Sequence, residues 1–524
     1  MGIYLNPGNN DFYNAVHHSQ IYVDKTELIK YTNKVLFGEQ KFICVSRPRR
    51  FGKSMAANML TAYYSKGCDS KELFINLKIE QNIDFDRNLN MYNVFHINMV
   101  DFFRETKSIQ ESLDYLQRRL LHELKKEYSD VDCFDWTDLP SVCDEIFSEK
   151  KIPFVFIIDE WDCIFRMKQN DSNSQKEYLN FLRALLKDHS YVALAYMTGI
   201  LPIKKYGEHS ALNMFDEFSM TNQGSLAEFT GFTEDEVKSL CEQYDMPFAT
   251  TKKWYDGYNL NDISIYNPRS VVKAMTERTY DDYWTKTETY EAIRTYIEMN
   301  YNGLRDTLID LIAGERKQID TTTFVNDMVT FKIKDDVLTL LIHLGYLGFD
   351  FKTKEVFIPN HEIRQQFIST VRVLGWNDII RSLQLSEQLL QATLQMDEET
   401  VADIVEQVHE ENTSIIKYND ENSLSCVLSL AYYSAKRDYN MYRELASGRG
   451  FADLVFVPKP TCLTPAFIIE LKWNQSADSA IDQIKQKNYV NCLKSYSGDV
   501  ILVGITYDKK FSKQHTCKIE KIIK

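Results

Sequence analysis

Glycine and proline are scarce in this chain, at 19 and 11 of 524 residues, and no low-complexity tract interrupts it. That excludes collagen-like, linker-like and disordered chains. Long apolar runs are missing too. Stretches such as Phe154 to Ile158 and Val192 to Met197 fall far short of the roughly 20 residues a membrane-crossing helix needs. Ten cysteines are scattered without one CxxC pair, so neither a zinc ribbon nor a disulfide framework is expected, and thiol catalysis has no supporting neighbourhood. Met1 to Asn10 has neither a basic nor an apolar signal region, and Asn6 stands where a myristoylation signal has Ser or Thr. A cytoplasmic protein with no membrane partner is expected.

What is present is globular: 44% hydrophobic and 26% charged residues, at a length that accommodates two to four domains of about 150 residues each. The net charge of −14 argues against non-specific adhesion to nucleic acid over the whole surface. The charge is unevenly distributed, however. Residues 441–524 carry 13 Lys and Arg against 8 Asp and Glu, a local +5, so the C-terminal part is the basic one and suits a polyanion.

Three regions are expected: 1–220, 221–385 and 386–524. In the first, strand-like and helix-like patterns alternate. Lys41 to Val45 is an apolar run, Ser46 to Gly52 a polar loop, and Lys53 to Tyr64 a helical pattern; Phe154 to Ile158 and Tyr191 to Met197 read as buried strands with helical Gln175 to Asp188 between them. This alternation predicts an α/β fold around a parallel sheet. The second region reads as mostly helical, opening on a capping box of Thr233 and Glu236, with short strands at Tyr346 to Phe351 and Val356 to Ile358. The third reads as helix (Glu421 to Lys436), strands, helix (Asp478 to Lys494) and strand (Val500 to Thr506).

A nucleotide phosphate requires backbone N–H donors, a helix N-terminus and a cation in one place. Arg47-Pro48-Arg49-Arg50-Phe51-Gly52-Lys53-Ser54 offers the last part of that arrangement after a strand, with Arg47 where the P-loop pattern has its first glycine. Arg49, Arg50, Phe51 and Gly52 would form the cradle, Lys53 would reach the β and γ phosphates, and Ser54 would hold Mg²⁺. The competing reading is a basic turn before an ordinary helix. A second piece favours the nucleotide. The apolar strand Phe154 to Ile158 ends in Asp159 and Glu160, the first suited to bind Mg²⁺ through water and the second to polarise the attacking water. Thr198 closes a further strand, where it is suited either to sense the γ-phosphate or simply to cap the strand.

Metal-assisted phosphodiester hydrolysis needs converging carboxylates and a nearby cation. Gly450-Phe451-Ala452-Asp453 puts Asp453 on one strand; in Phe467-Ile468-Ile469-Glu470-Leu471-Lys472 strand alternation puts Glu470 and Lys472 on one face. The apolar flanks mark a mostly buried strand, where two charges need a reason. Glu444 and Glu421 are rivals for a further place at the metal. Gln483, with Lys487 and Tyr489 beyond it, either braces this site or a phosphate, or belongs to a solvated helical face.

Gly448-Arg449-Gly450…Asp453, Glu470-Leu471-Lys472 and Gln483…Lys487…Tyr489 together resemble the PD-(D/E)XK nuclease fold. The rest resembles the bacterial AAA-ATPase-like proteins that carry this nuclease at their C-terminus, through Tyr22-Val23-Asp24-Lys25-Thr26, Arg47 to Ser54, Trp254-Tyr255-Asp256-Gly257-Tyr258, Tyr266-Asn267-Pro268, Gly345-Tyr346-Leu347 and Ile358-Pro359-Asn360. The arginine at the first P-loop position is typical of that family. The resemblance implies a P-loop NTPase sheet, a helical or winged-helix-like middle region and a restriction-endonuclease-like α/β domain. It implies an ATPase coupled to a nuclease using Mg²⁺ (or Mn²⁺), with DNA favoured over RNA, homo-oligomerisation left open, and phage or mobile-element defence the suspected setting. The alternative is a nucleotide-driven interaction switch whose C-terminal domain binds nucleic acid without cleaving it.

Overall fold

A computed structural model describes residues 2–103, 108–203, 212–222, 224–284, 291–299, 301, 303–326, 328–412, 428, 431–447, 450–460, 462, 464–487, 489–493, 496–508 and 513–523. The chain forms two compact units, Met1–Leu304 with Gln318–Gln366, and Arg305–Lys317 with Phe367–Lys524.

The first unit is built on β1 (Phe42–Ser46), β2 (Asn93–Asn98), β3 (Phe154–Asp159), β4 (Val192–Gly199) and β5 (Asp216–Phe218). They form one sheet in the order β2-β3-β4-β1-β5, and every pair is parallel. β1, β3 and β4 are buried along their whole length, which is why they read as unbroken apolar runs and not as alternating ones. Period-two alternation divides β3 between two cores. Val155 and Ile157 pack under α1 (Lys53–Tyr64) with Ala57, Leu60 and Tyr64. Phe154 and Phe156 turn to the other face and stack against Phe95 of β2. With the strands parallel, the loop after β1, the carboxylates after β3 and Thr198 near the end of β4 emerge at one edge of the sheet.

The same unit continues past the sheet. Small antiparallel strands β6 (Phe232–Thr233), β7 (Tyr258–Leu260) and β8 (Ile263–Tyr266) pair in the order β6-β8-β7, and a hairpin joins β9 (Gly348–Asp350) to β10 (Glu355–Phe357). The Thr233 and Glu236 capping box is present at the start of Glu234–Tyr244. Asn267 caps the helix Pro268–Glu277 by accepting from the N–H groups of Arg269 and Ser270.

The second unit carries β11 (Tyr439–Ser447), β12 (Gly450–Pro458), β13 (Ala466–Trp473), β14 (Val500–Tyr507) and β15 (His515–Ile522), in that spatial order. All neighbours are antiparallel except β13 and β14. On one face Ile469, Leu471 and Val503 pack with the helices Asn377–Gln395 and Glu398–Asn412. On the other, Ile468 and Val455 pack with Ile481 and Ile484 of the helix Ala477–Gln486. Sequence alternation along β13 therefore sends Glu470 and Lys472 to the side of that shorter helix. The expected helix Glu421 to Lys436 falls largely outside the described residues and ends in the 3₁₀ turn Tyr433–Arg437.

Candidate functional sites

At the sheet edge of the first unit, the chain leaves β1 through 47–52 and enters α1 at Lys53, with Gly52 in the left-handed region at φ 85°, a conformation that costs glycine little. Arg50 also has positive φ, 68°. Arg47 turns inward and not toward ligand: fully buried, its Nη1 donates to the carbonyls of Ser46 and of Phe218 on β5, both at 2.9 Å. Its Nε and Nη2 lack partners, and burial lowers its pKa to about 10. Lys53 is also buried, with Nζ donating to the carbonyls of Arg47 and Pro48 at 2.9 Å each. Burial lowers its pKa, while Glu160, Asp159 and Asp162 oppose that shift.

Arg49, Arg50, Phe51, Gly52, Lys53 and Ser54 all line one cavity of about 740 Å³. Glu160 lines it as well, as do Ile21, Tyr22 and Val23 on an apolar wall. Asp159 and Thr198 do not. Both are buried, and Thr198 donates its hydroxyl to Asp159, which also accepts the Glu160 N–H at 3.0 Å. These two residues stitch β3 to β4 behind the cavity.

Sequence reasoning missed how far the middle of the chain participates. Trp284 Nε1 donates to the carbonyl of Arg49 at 3.1 Å. Trp284 is held in turn by Glu362, whose Oε1 accepts the N–H groups of Tyr283 and Trp284 at 2.7 Å each, while its Oε2 accepts the Ser270 hydroxyl at 2.8 Å. Phe51 sits edge-on to Tyr258 at 5.3 Å and its carbonyl accepts the Gly231 N–H. Tyr258 donates to the carbonyl of Gly345, and a side chain at Gly345 would strike Pro48 at 2.7 Å. Thus Tyr258, Gly345 and, through Trp284, Tyr346 contribute to the buttress of the phosphate loop. Arg269, next to the Tyr266-Asn267-Pro268 motif, brings a further cation into the cavity lining. Its only sequence signal was its place just after a helix N-cap.

In the second unit the β12–β13 ladder runs from Phe456↔Phe467 to Leu454↔Ile469 and stops. At the break Asp453 Oδ2 accepts the N–H of Leu471 at 2.7 Å, taking the place of a ladder partner. Glu470 is 2% exposed. Its Oε1 accepts from Gln483 Nε2 and lies 3.5 Å from Lys472 Nζ, while its Oε2 is buried with no partner. Burial, and then the neighbouring Asp453 charge, push its pKa to about 7 against the opposing pull of Lys472 and Lys487. Gln483 also donates to Tyr489 Oη at 3.3 Å, and Lys487 lies 5.9 Å from the Tyr489 ring.

The fold thus gathers Asp453, Glu470, Lys472 and Gln483. Glu444 lies between Arg443 and Leu445, which pair with Leu454 and Ala452 on either side of Asp453; it is exposed at positive φ, 48°. Glu421, Gly448 and Arg449 lie outside the described residues. Among the described residues no three acidic, His or Cys side chains form a ready metal cluster. A divalent cation nonetheless suits the pair that is there. An unpartnered buried carboxylate oxygen beside a second carboxylate is only partly offset by Lys472, and a hard cation with oxygen preference relieves what is left.

Comparison with known proteins gives two family matches along the chain. The family described as predicted AAA-ATPase matches residues 7–207, and the PD-(D/E)XK nuclease superfamily matches residues 419–516. The chain joins an AAA-ATPase-like region to a PD-(D/E)XK nuclease-superfamily region, families that imply use of a nucleotide and a divalent metal. A similar protein along nearly its full length is the "Uncharacterized protein in vnfD 5'region" of Azotobacter chroococcum mcd 1, 23% identical over 528 residues and covering 93% of each chain. Solved structures of the Aeropyrum pernix ORC2 protein (ADPNP-ADP complexes) and of Cdc6p from Pyrobaculum aerophilum, both 9% identical, cover 70% and 69% of this chain and 97% and 98% of theirs. Their TM-scores, 0.27 and 0.21, are too low to carry a functional comparison. No described helix is long and apolar enough to cross a membrane.

Proposed function

We propose that this protein is an ATP-binding and ATP-hydrolysing nuclease that uses Mg²⁺ (or Mn²⁺) and cleaves phosphodiester bonds in nucleic acid, DNA before RNA. The observation that carries the nuclease reading is the meeting of Asp453, Glu470 and Lys472, with a buried Glu470 oxygen lacking any partner. Asp453 and Glu470 would hold the metal, which when bound supplies Lewis-acid polarisation of the phosphate and a more acidic water. Lys472 is held beside the carboxylates to orient water and offset charge on the phosphate. Gln483 fixes the Glu470 carboxyl from the covering helix, and Glu444 or Glu421 is suited to complete the set.

In the first unit, Lys53 would hold the β and γ phosphates in place of its two carbonyl acceptors and Ser54 at the first turn of α1 would hold the accompanying Mg²⁺, with Asp159, which lies behind the cavity lining, reaching that ion only through water. Glu160 faces the cavity to polarise water. Thr198 acts on the nucleotide only through Asp159. A role in phage or mobile-element defence fits a cytoplasmic nuclease held under nucleotide control.

Incubation of plasmid with the protein and Mg²⁺ tests the reading. Cleavage that disappears in Asp453→Ala and Lys472→Ala is expected, and cleavage surviving in both removes the assignment. One observation favours the second reading, a nucleotide-driven switch that binds nucleic acid without cutting: only two acidic groups meet among the described residues. That reading expects DNA binding that responds to ATP, with no strand scission under any divalent metal.

A further inference from the structure

Two buried or half-buried groups beyond the phosphate loop, Asp162 and Arg166, have no place in the chemistry described above. Asp162 is fully buried. One of its oxygens, Oδ2, accepts the backbone N–H groups of Ile200 and Leu201 at 3.1 and 2.9 Å, immediately after β4. Arg166, from the short helix Cys163–Met167, places its Nε 3.3 Å from that same oxygen and its Nη2 3.5 Å from Oδ1. The guanidinium Nη2 then donates to Glu160 Oε2. Side-chain exposure falls along the series, from 21% for Glu160 to 14% for Arg166 and none for Asp162. Glu160 lines the nucleotide cavity, whereas Arg166 and Asp162 do not. Glu160 also holds a left-handed backbone, φ 55°.

We propose that Arg166 is a positioning residue for nucleotide hydrolysis. Asp162, anchored by two backbone N–H groups, fixes the guanidinium, and the guanidinium fixes one oxygen of Glu160 from behind so that the carboxylate is presented to the cavity. The arrangement follows the general logic of a base that is itself oriented by a third group. A planar, permanently charged fork suits that task better than an ammonium. Arg166 does not line the nucleotide cavity; it acts through Glu160. The inference rests on the ATPase reading given above.

Steady-state ATP turnover by the full-length protein tests it in a two-by-two cycle of Arg166→Gln and Glu160→Gln. Misplacing a reacting group by about 1 Å costs about 100-fold in rate. Arg166→Gln is accordingly expected to lower kcat by ~10- to 100-fold with KM for ATP and fluorescent-nucleotide affinity within about twofold of wild type, and Arg166→Lys to recover part of the loss. In the Glu160→Gln background Arg166→Gln should remove nothing more, because effects of residues acting as a unit do not add. An unchanged kcat, a loss confined to KM, or losses that multiply in the double variant would each overturn the inference while leaving ATP hydrolysis in place. If Arg166→Gln does not fold, Arg166→Lys carries the same cycle. Wild-type protein that neither binds nor turns over ATP, and is indistinguishable from Lys53→Ala, overturns the ATPase reading and this inference with it.

Discussion

Glu362 offers a quantitative test of how the middle of the chain supports the phosphate loop. Its carboxyl is 1% exposed, and burial pushes its pKa from an ordinary 4.5 to about 7, with the Trp284 and Tyr283 N–H groups and the Ser270 hydroxyl partly opposing the rise. The folded state therefore holds a proton that the unfolded chain releases between those two values. Stability from this group is fully present below pH 4.5 and is lost as pH rises through about 7. A displacement of that size corresponds to about 3 kcal/mol. In Glu362→Gln the amide oxygen can still accept from Tyr283 and Trp284, and nothing is left to ionise. Urea unfolding of wild type and variant at pH 5, 6, 7 and 8 isolates the group, because all other titrations cancel in the difference. The variant should gain on wild type progressively, by roughly 2.5 kcal/mol between pH 5 and pH 8. A difference that stays flat with pH, or moves in the variant's disfavour as pH rises, would refute the reasoning.

Other expectations are simpler to check. Trp284→Phe removes the donor to the Arg49 carbonyl and should weaken nucleotide binding by about 10-fold, the equivalent of one hydrogen bond, as read by titration with a fluorescent nucleotide; undiminished affinity would show the loop needs no such brace. Lys53→Ala should abolish measurable nucleotide binding by the same assay while leaving the pH dependence of Glu362 intact. Glu470→Gln keeps the shape of the candidate nuclease site but not its charge, and should reduce Mg²⁺-dependent plasmid cleavage by at least ~100-fold without lowering the melting temperature. Gly257→Ala forces a side chain to within 2.1 Å of the Pro359 carbonyl at φ +116°. It should cost more than about 3 kcal/mol in thermal or urea unfolding, and a neutral result would remove the scaffold reading of Tyr258.

Much of both sites is legible in the order of the residues, for a local reason. Strand, loop and helix follow one another within 42–64, and the helix expected over Lys53 to Tyr64 is the one observed. The apolar runs around Phe154 and Val192 are strands because burial on both faces leaves no alternating pattern to misread. Glu470 and Lys472 share a face because period two needs only neighbouring residues. What sequence reading could not supply is non-local. Nothing in the spacing of Trp284 or Glu362 connects them to Arg49, some 200 and 300 residues earlier in the chain, and the aromatic motif at Trp254 to Tyr258 gave no sign that its last tyrosine packs on Phe51. The expected helix over Asp478 to Lys494 is observed as Ala477–Gln486 followed by a separate 3₁₀ turn, Tyr489–Leu493. Tyr489 accepts there from Gln483, a contact that reflects three-dimensional packing and not helical period. Arg166 escaped notice because it follows a carboxylate-rich turn whose obvious members are Asp159 and Glu160.

The dependence of residues 47–52 on Gly231, Tyr258, Trp284 and Gly345 bears on how this protein can be dissected. A fragment stopped near residue 220, where strand and helix cease to alternate, would retain all five parallel strands and still lose every one of those supports. Its 47–52 turn would be left to solvent, with Phe51 uncovered, and failure of such a piece to take up nucleotide would say nothing about the intact protein. Truncation studies of the first unit are better drawn to include the chain through Gln366.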